Sequence, residues 1–314
     1  MTTVKAGASR TTSPMVRDMP CHNGPVLSVV VPLFQGRPYI EELLVSLEGQ
    51  LDAPPFEVIV ADNGSTDGGP DDIRARVTSL TIKVVDASAR PGQTYARNVG
   101  AGVAVGQGLL FIDQDDVLHE GYIAAMSTAL TEHQLVAARV DIGRLNEAWR
   151  TPVRRLAQES SLASGPPFAW GYGGTLGVRA STFAAVGGFD DRLTIAAEDE
   201  DLCWRIQAMG GSIAFVPGAL LYYRFPTSCR RLFRQGMRYG KAQVEVDWMW
   251  RHDGRPPPSL RRLLGRVVLD APRAVLSPSR ARRGQFSFLA GRRIGTVLGV
   301  MTGRRMELRS SPPS

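Results

Sequence analysis

Four carboxylates stand in a row at Glu198-Asp199-Glu200-Asp201, and three more crowd into Asp113-Gln114-Asp115-Asp116. Like charges at such spacing repel, and they are tolerated only where some are hydrogen-bonded, protonated or neutralised by a cation. For residues 113–116 a hard divalent ion fits best. Magnesium or manganese held by one or two carboxylates leaves its other positions to water and substrate phosphates, which is how an acidic pocket usually binds a diphosphate. A solvated acidic turn with a helix N-cap at Asp115 or Asp116 explains the same residues without a ligand. Acids in a first helical turn are favoured by the helix dipole, yet the four from Glu198 to Asp201 exceed what capping needs. A third stretch, Asp62-Asn63-Gly64-Ser65-Thr66-Asp67-Gly68, has the residue types of Asx-turns and helix caps. Its functional reading puts Asp62 and Asn63 against the base or ribose of a nucleoside, with Asp67 supporting the turn; a plain strand-to-helix turn explains most of it.

The elements that must position these acids follow from hydrophobic periodicity. Leu27 to Pro32 is a β-branched run stopped by proline, and Ile40, Leu43, Leu44 and Leu47 then recur at helical spacing. The alternation continues with strands expected at Phe56–Ala61, Ile82–Val85 and Leu109–Ile112, and helices at Ile73–Val77 and Ala96–Val105. The strands are nearly continuous apolar runs, as strands buried on both faces should be, so an α/β fold with a doubly wound, mostly parallel sheet is expected. Ligands of such sheets gather beyond the carboxyl ends of the strands, and both acidic stretches at 62–67 and 113–116 leave strand ends, so they should face one crevice. Further on, a helix is expected near 120–132, a strand at Thr175–Val178, a helix at Ala180–Val186 and another opening at Glu198 and stopping at Gly210-Gly211. Glycines 100, 102 and 106 lie inside a helical segment rather than after the first strand, so they read as close helix-to-sheet packing and not as a dinucleotide fingerprint. Arg97 and Asn98 just before them place a cation and an amide near the crevice.

Other chemistries are excluded by what is missing. The four histidines, 22, 119, 133 and 252, have no metal-ligand spacing, and no Gly-x-Ser-x-Gly elbow occurs. Cys21, Cys203 and Cys229 form neither a disulfide framework nor a zinc ribbon and read as reduced thiols, Cys203 buried. The net charge of +7 is unevenly spread: residues 1–223 hold 17 Lys+Arg against 25 Asp+Glu, whereas residues 224–314 hold 20 against 5. The acidic part needs cations to bind anything phosphorylated, and the basic tail does not.

Taken in order, Ser28-Val29-Val30-Val31-Pro32-Leu33-Phe34, Val60 to Asp67, Ala96-Arg97-Asn98-Val99-Gly100, Phe111 to Asp116, Gly187-Gly188-Phe189-Asp190 and Ala197 to Leu202 resemble the family-two glycosyltransferases over about residues 27–224. The resemblance implies a GT-A fold with a nucleotide-sugar crevice. It also implies an inverting, metal-dependent hexosyl- or deoxyhexosyl-transferase, moving a sugar from a nucleotide-diphosphate donor to an acceptor hydroxyl. Carried over by position, Pro32, Phe34, Asp62, Asn63, Arg97 and Asp113 would bind the donor nucleotide. Asp113 and Asp115 look like the acids of the family's D-x-D motif, with Asp115 or Asp116 the ligand of Mn or Mg. Asp199 would be the catalytic base beside Glu198. Gly173, Gly174, Thr175 and Asp201 would border the sugar and acceptor. Where many members carry a histidine after the last core strand, this chain reads Leu221-Tyr222-Tyr223-Arg224, and Arg224 would meet the diphosphate instead. Two other readings share the fold: a sugar-nucleotide nucleotidyltransferase, whose cation-rich triphosphate loop is reduced here to Leu33-Phe34-Gln35-Gly36-Arg37, and a non-catalytic nucleotide- or glycan-binding protein.

The domain reading is a disordered segment at 1–25, a GT-A catalytic domain at 26–224, a basic helical region at 225–305 and a disordered tail at 306–314. Within the basic region, Leu260 to Ala271 and Phe286 to Met301 carry apolar residues at helical spacing between arginines, giving two amphipathic helices. These would lie on an anionic membrane surface or pack on the catalytic domain or a second subunit; no nucleic-acid recognition motif accompanies them. With no run of eighteen apolar residues and no secretory leader, the expected location is the cytoplasm, the tail allowing peripheral attachment to the inner membrane face. The expected partners are the nucleotide-sugar donor and a hydroxyl acceptor, a lipid-linked glycan or a secondary metabolite.

Overall fold

The structure, a computed structural model, describes residues 26–194, 196–253, 272–273 and 275–303. The expected disordered ends and the expected helix at Leu260–Ala271 lie outside the described residues. One eight-stranded sheet, ordered β3-β2-β1-β4-β7-β6-β8-β5, forms the frame. Its first half is parallel: β1 (Leu27–Leu33) lies between β2 (Phe56–Asp62) and β4 (Gly108–Phe111), and β3 (Thr81–Asp86) borders β2. The second half is mixed. β7 (Leu176–Arg179) runs antiparallel to β4 and to β6 (Leu135–Asp141), β8 (Ile213–Tyr222) runs parallel to β6, and the two-residue β5 (Val117–Leu118) closes the edge.

The β-branched run of β1 explains why it is central. Val29 and Val31 point into one apolar cluster and Val30 into the other, so both faces are covered. On the first face the residues expected from the 3.6 period, Ile40, Leu43, Leu44 and Leu47, are the buried stripe of α1 (Arg37–Glu48), joined by Tyr122, Ile123 and Met126 of α4 (Tyr122–Glu132). The helix expected at 73–77 forms earlier, as α2 (Gly69–Ala75), because Gly68 and Pro70 start it. On the second face, α5 (Ala180–Ala185) and α6 (Glu198–Ala208) bury Phe183, Leu202, Cys203 and Trp204. α3 (Gln93–Gly102) packs so closely that a side chain at Gly100 would meet Val30 at 2.6 Å, while Gly102 faces open space; the expected close-packing role holds for Gly100 and fails for Gly102.

Two long helices complete the molecule. α7 (Cys229–Met249), which falls in the basic helical region expected at 225–305 but is not singled out there, begins at Ser228, whose hydroxyl accepts the Arg231 amide. α8 (Arg280–Gly303) is the second expected amphipathic helix, and it packs along α7. Glycines make that approach possible: a Cβ on Gly236 or Gly240 would overlap main-chain atoms of Phe288 and Arg292, and one on Gly291 or Gly295 would overlap Phe233 and Met237. This is small-residue packing at four-residue spacing, in which backbones touch. Gly240→Ala should therefore destabilise the protein by about 1–3 kcal/mol through overpacking, against the usual gain from alanine in a helix; urea unfolding measures it, and a stabilised variant would show the helices free to separate. Leu298 and Met301 of α8 remain exposed. Among the described residues no helix is long and apolar enough to cross a membrane.

Candidate active site

The carboxyl ends of β1, β2 and β4 form one rim of a cleft of about 1470 Å³, and the opposite wall is built by the N-terminus of α6, the 172–175 turn and α7. Of the site residues named from the sequence, Pro32, Phe34, Asn63, Arg97, Asp113, Asp115, Asp116, Gly173, Gly174, Thr175, Glu198, Asp199 and Arg224 border it. Hydrogen bonds fix the rim. Gln114 accepts from the Phe34 amide at 2.7 Å and donates to the Phe34 carbonyl at 3.0 Å, locking the β1 and β4 ends together.

Arg97 organises the middle of the cleft. It is 1% exposed, and its two terminal nitrogens donate to Asp113 Oδ1 and Glu198 Oε1, each at 2.7 Å, so acids 85 residues apart in sequence share one guanidinium. Gln93 also donates to Asp113 Oδ1. The glycines of the 172–175 turn are required here. A Cβ on Gly173 would come within 2.6 Å of Arg97 Nη1, and one on Gly174 within 2.9 Å of the Asp113 carboxylate.

Asp199 stands across from this corner. Ala197 precedes it in the left-handed conformation, φ 67°, a strained turn for a residue with a Cβ. That turn aims Glu198 and Asp199 into the cleft. Asp199 Oδ2 accepts the Gly173 amide and Oδ1 the Glu200 amide, both at 2.9 Å, which holds the carboxylate in one orientation. Burial, reinforced by the charge of Glu200, lifts the Asp199 carboxyl to about 6, and burial with the charge of Asp199 lifts Glu198 to about 7. At the other corner, burial and the neighbouring Asp113 raise Asp115 to about 6, and burial with the charge of Asp115 holds Asp116 well above the usual carboxylate range. Asp116 accepts the Arg224 amide at 3.2 Å, while Arg224 donates to the Asp115 carbonyl at 3.0 Å and to Glu42 at 2.8 Å.

Several expectations need correction. Asp201 does not border the cleft: it is 1% exposed and is held by Arg205 at 2.7 Å and the Trp250 indole N–H at 3.1 Å. Residues two apart on a helix point some 200° apart, so Asp199 and Asp201 face opposite ways. The acids of the 62–67 stretch do not converge with those at 113–116. Asp62 caps the Ser65 amide, and Asp67 caps the amides of Arg37 and Gly69, as the plain turn reading requires. Asn63 does line the cleft, but its amide bonds the main chain of Ala87, Arg90 and Gly92 and so shapes the loop beside it. The Thr175 hydroxyl is engaged by Tyr172 and Gln158. The convergence that the fold does produce joins 113–116 to 198–200 through Arg97. Sequence reasoning also missed the part of the cleft lined by α7, although Arg231, Arg234 and Arg238 carry its signal, spaced three and four apart.

Whether the acidic corner suits a divalent cation depends on its donors. Asp115 offers a half-buried carboxylate, raised in pKa by burial and then by the charge of Asp113, and a hard cation relieves both. Among the described residues no group of three or more His, Cys, Asp or Glu could enclose a metal. The corner therefore fits an ion held by one or two carboxylates with substrate oxygens completing it, and does not fit a cation caged by protein alone.

Comparisons with known proteins bear on the family and the fold. The chain is 24% identical over 292 residues to the pre-mycofactocin glycosyltransferase of Mycobacterium tuberculosis, covering 89% of this chain and 57% of that one, so it spans little more than half of that relative's length. It is 27% identical to the N-acetylglucosaminyl-diphospho-decaprenol L-rhamnosyltransferase of the same organism, covering 85% of this chain and 99% of the relative. Among solved structures, a mannosyltransferase from Pyrobaculum calidifontis, in complex with GDP-Man and Mn2+, superposes with a TM-score of 0.61 at 20% identity over 87% of each chain, which shows a shared GT-A-like fold. The model of Glycosyl transferase family 2 matches residues 28–183, and that of Glycosyl transferase family group 2 matches residues 108–267. As the second match alone spans more than half of the sequence, the chain belongs to the family-two glycosyltransferases.

Proposed function

We propose that the chain transfers a sugar from a nucleotide-diphosphate donor to an acceptor hydroxyl with inversion, using Asp199 as base. The observation that carries this reading is the shared cleft: an oriented, half-buried carboxylate of raised pKa lines the same cleft as the 113–116 corner, with Arg97 bonded to both Asp113 and Glu198. The nucleotide would lie along Pro32 and Phe34 against the loop that Asn63 shapes. Asp115, with the second oxygen of Asp116, would hold a manganese or magnesium ion, which when bound neutralises charge on the departing diphosphate. Arg224 lies beside that corner. The acceptor hydroxyl gives its proton to Asp199 as its oxygen bonds to the anomeric carbon, and the bond from that carbon to the diphosphate breaks on the opposite side. The nearby Arg97 cation favours the charged form of Asp199 that a base requires.

Binding is tested by thermal shift against a panel of nucleotide sugars with and without manganese. A donor at a hundred times its dissociation constant stabilises the folded state by about 2.7 kcal/mol; a panel in which no nucleotide sugar raises the melting temperature contradicts the reading. The pKa of Asp199 adds a pH prediction. Below about 6 the carboxyl is protonated and cannot accept a proton, so log kcat/KM should rise with pH through 6 and level above it. A profile flat from pH 5 to 8 removes Asp199 from its role.

A further inference from the structure

The cleft continues past the acidic corner, and its far part is lined by cations. α7 runs along it: Gln243 bonds Glu200 at 3.1 Å near the catalytic acids, and towards its N-terminus the helix brings Arg238, Arg234 and Arg231 to the cleft. From Gln243 to Arg234 and Arg231 is roughly 13 to 18 Å at 1.5 Å per residue. Arg154 and Arg155 from the 142–172 segment also border this part.

Arg154 is the informative residue. Its guanidinium lies 5.2–5.8 Å from the rings of Phe288, Tyr239, Phe225 and Tyr223, and it bonds the Tyr223 hydroxyl at 3.1 Å. Its Nε is enclosed and has no partner, and among the described residues no carboxylate forms an ion pair with it. The contrast with Arg97 lies in charge: the Nε of Arg97 is also without a partner, but two carboxylates balance that cation, whereas around Arg154 aromatic faces and a phenol hydroxyl supply only part of what desolvation removes. An enclosed guanidinium opening onto a cleft, with further arginines around it, is arranged for an anion, and planar guanidinium donors match phosphate oxygens two at a time.

We propose that this part of the cleft binds a phosphate or diphosphate carried by the acceptor, with Arg154 as the enclosed anchor and Arg155, Arg231 and Arg234 around it. The proposal rests on the reading above, which leaves the donor's diphosphate at the 113–116 corner.

The test uses the full chain in EDTA, with inorganic pyrophosphate as probe, followed by calorimetric titration and thermal shift. Wild type should bind pyrophosphate without a divalent ion, Asp115→Asn should bind it equally, and the exposed pair Arg231→Gln/Arg234→Gln should weaken it at least ~10-fold. With EDTA removed and manganese in excess, pyrophosphate and a manganese-loaded nucleoside diphosphate should raise the melting temperature additively, and in EDTA succinate should not replace pyrophosphate. Equal affinity in wild type and the double variant, absence of binding, competition between the two ligands, or equal binding of succinate would each overturn the proposal. Loss of nucleoside-diphosphate binding in wild type would instead contradict the donor assignment and leave the pyrophosphate titration readable.

Discussion

Replacing Asp199 with asparagine should lower kcat by about 100- to 10,000-fold while the donor still binds, because the amide keeps the shape of the carboxylate and cannot take a proton. The introduced side chain would retain an acceptor oxygen for the Gly173 amide, one of the two bonds that now orient Asp199. Thermal shift with the donor separates the two effects: a variant that turns over poorly yet is stabilised as much as wild type has lost chemistry alone. The acid limb of the pH profile near 6 should vanish in this variant. Unchanged turnover would leave Asp199 with a structural part only, that of pinning the 172–175 turn.

Arg97→Met should have the largest effect on stability. It leaves Asp113 and Glu198 facing each other without their cation, and breaking a buried ion pair from one side costs about 3–5 kcal/mol. The sign of its pH dependence follows from Glu198, whose carboxyl is already raised from 4.5 to about 7 with Arg97 present. Removing the guanidinium raises it further, so between the unfolded and folded values the folded state holds the extra proton and stability falls as pH rises. The penalty relative to wild type should be largest at pH 8 and smaller at pH 5. Urea unfolding at both values measures it, and an equal penalty at both would mean that Arg97 acts through packing on Phe189 rather than through charge. Arg97→Lys should not rescue activity, since a single ammonium cannot reach both carboxylates in this forked geometry.

The parallel half of the sheet was legible because Val29-Val30-Val31 and its neighbours are β-branched runs bounded by turn residues, and α1 because four aliphatic residues keep a strict helical period. β8 escaped notice for a physical reason. Pro217 and Gly218 interrupt it where its register with β6 shifts between Ala138 and Arg139, and a proline at such an irregularity erases the periodic signal that marks a strand. β6 contains Ala137, Ala138 and Arg139, a weak strand composition that only its neighbours stabilise. α7 was hidden by its own packing device, since the glycines that let α8 approach are poor helix formers, and its arginines merged with a basic tail.

The site shows the same division. That Asp113 to Asp116 close a strand could be read from the sequence, as could the place of Asp199 at a helix start. Which of the four acids from 198 to 201 enter the cleft could not, because it depends on the rotation of α6 against the sheet, set by Leu202, Trp204 and Ile206 in the core. The Arg97 bridge was equally invisible: each of its partners is an ordinary acid until the fold brings β4 and α6 against α3.

The most direct test of the central claim, that a base at Asp199 works opposite a donor anchored at the 113–116 corner, is the anomeric configuration of the first product formed from an α-linked nucleotide sugar. Proton NMR, recorded before any hydrolysed sugar can mutarotate, reads it. A β-linked product is the result predicted by in-line displacement across this cleft, and an α-linked product would contradict it.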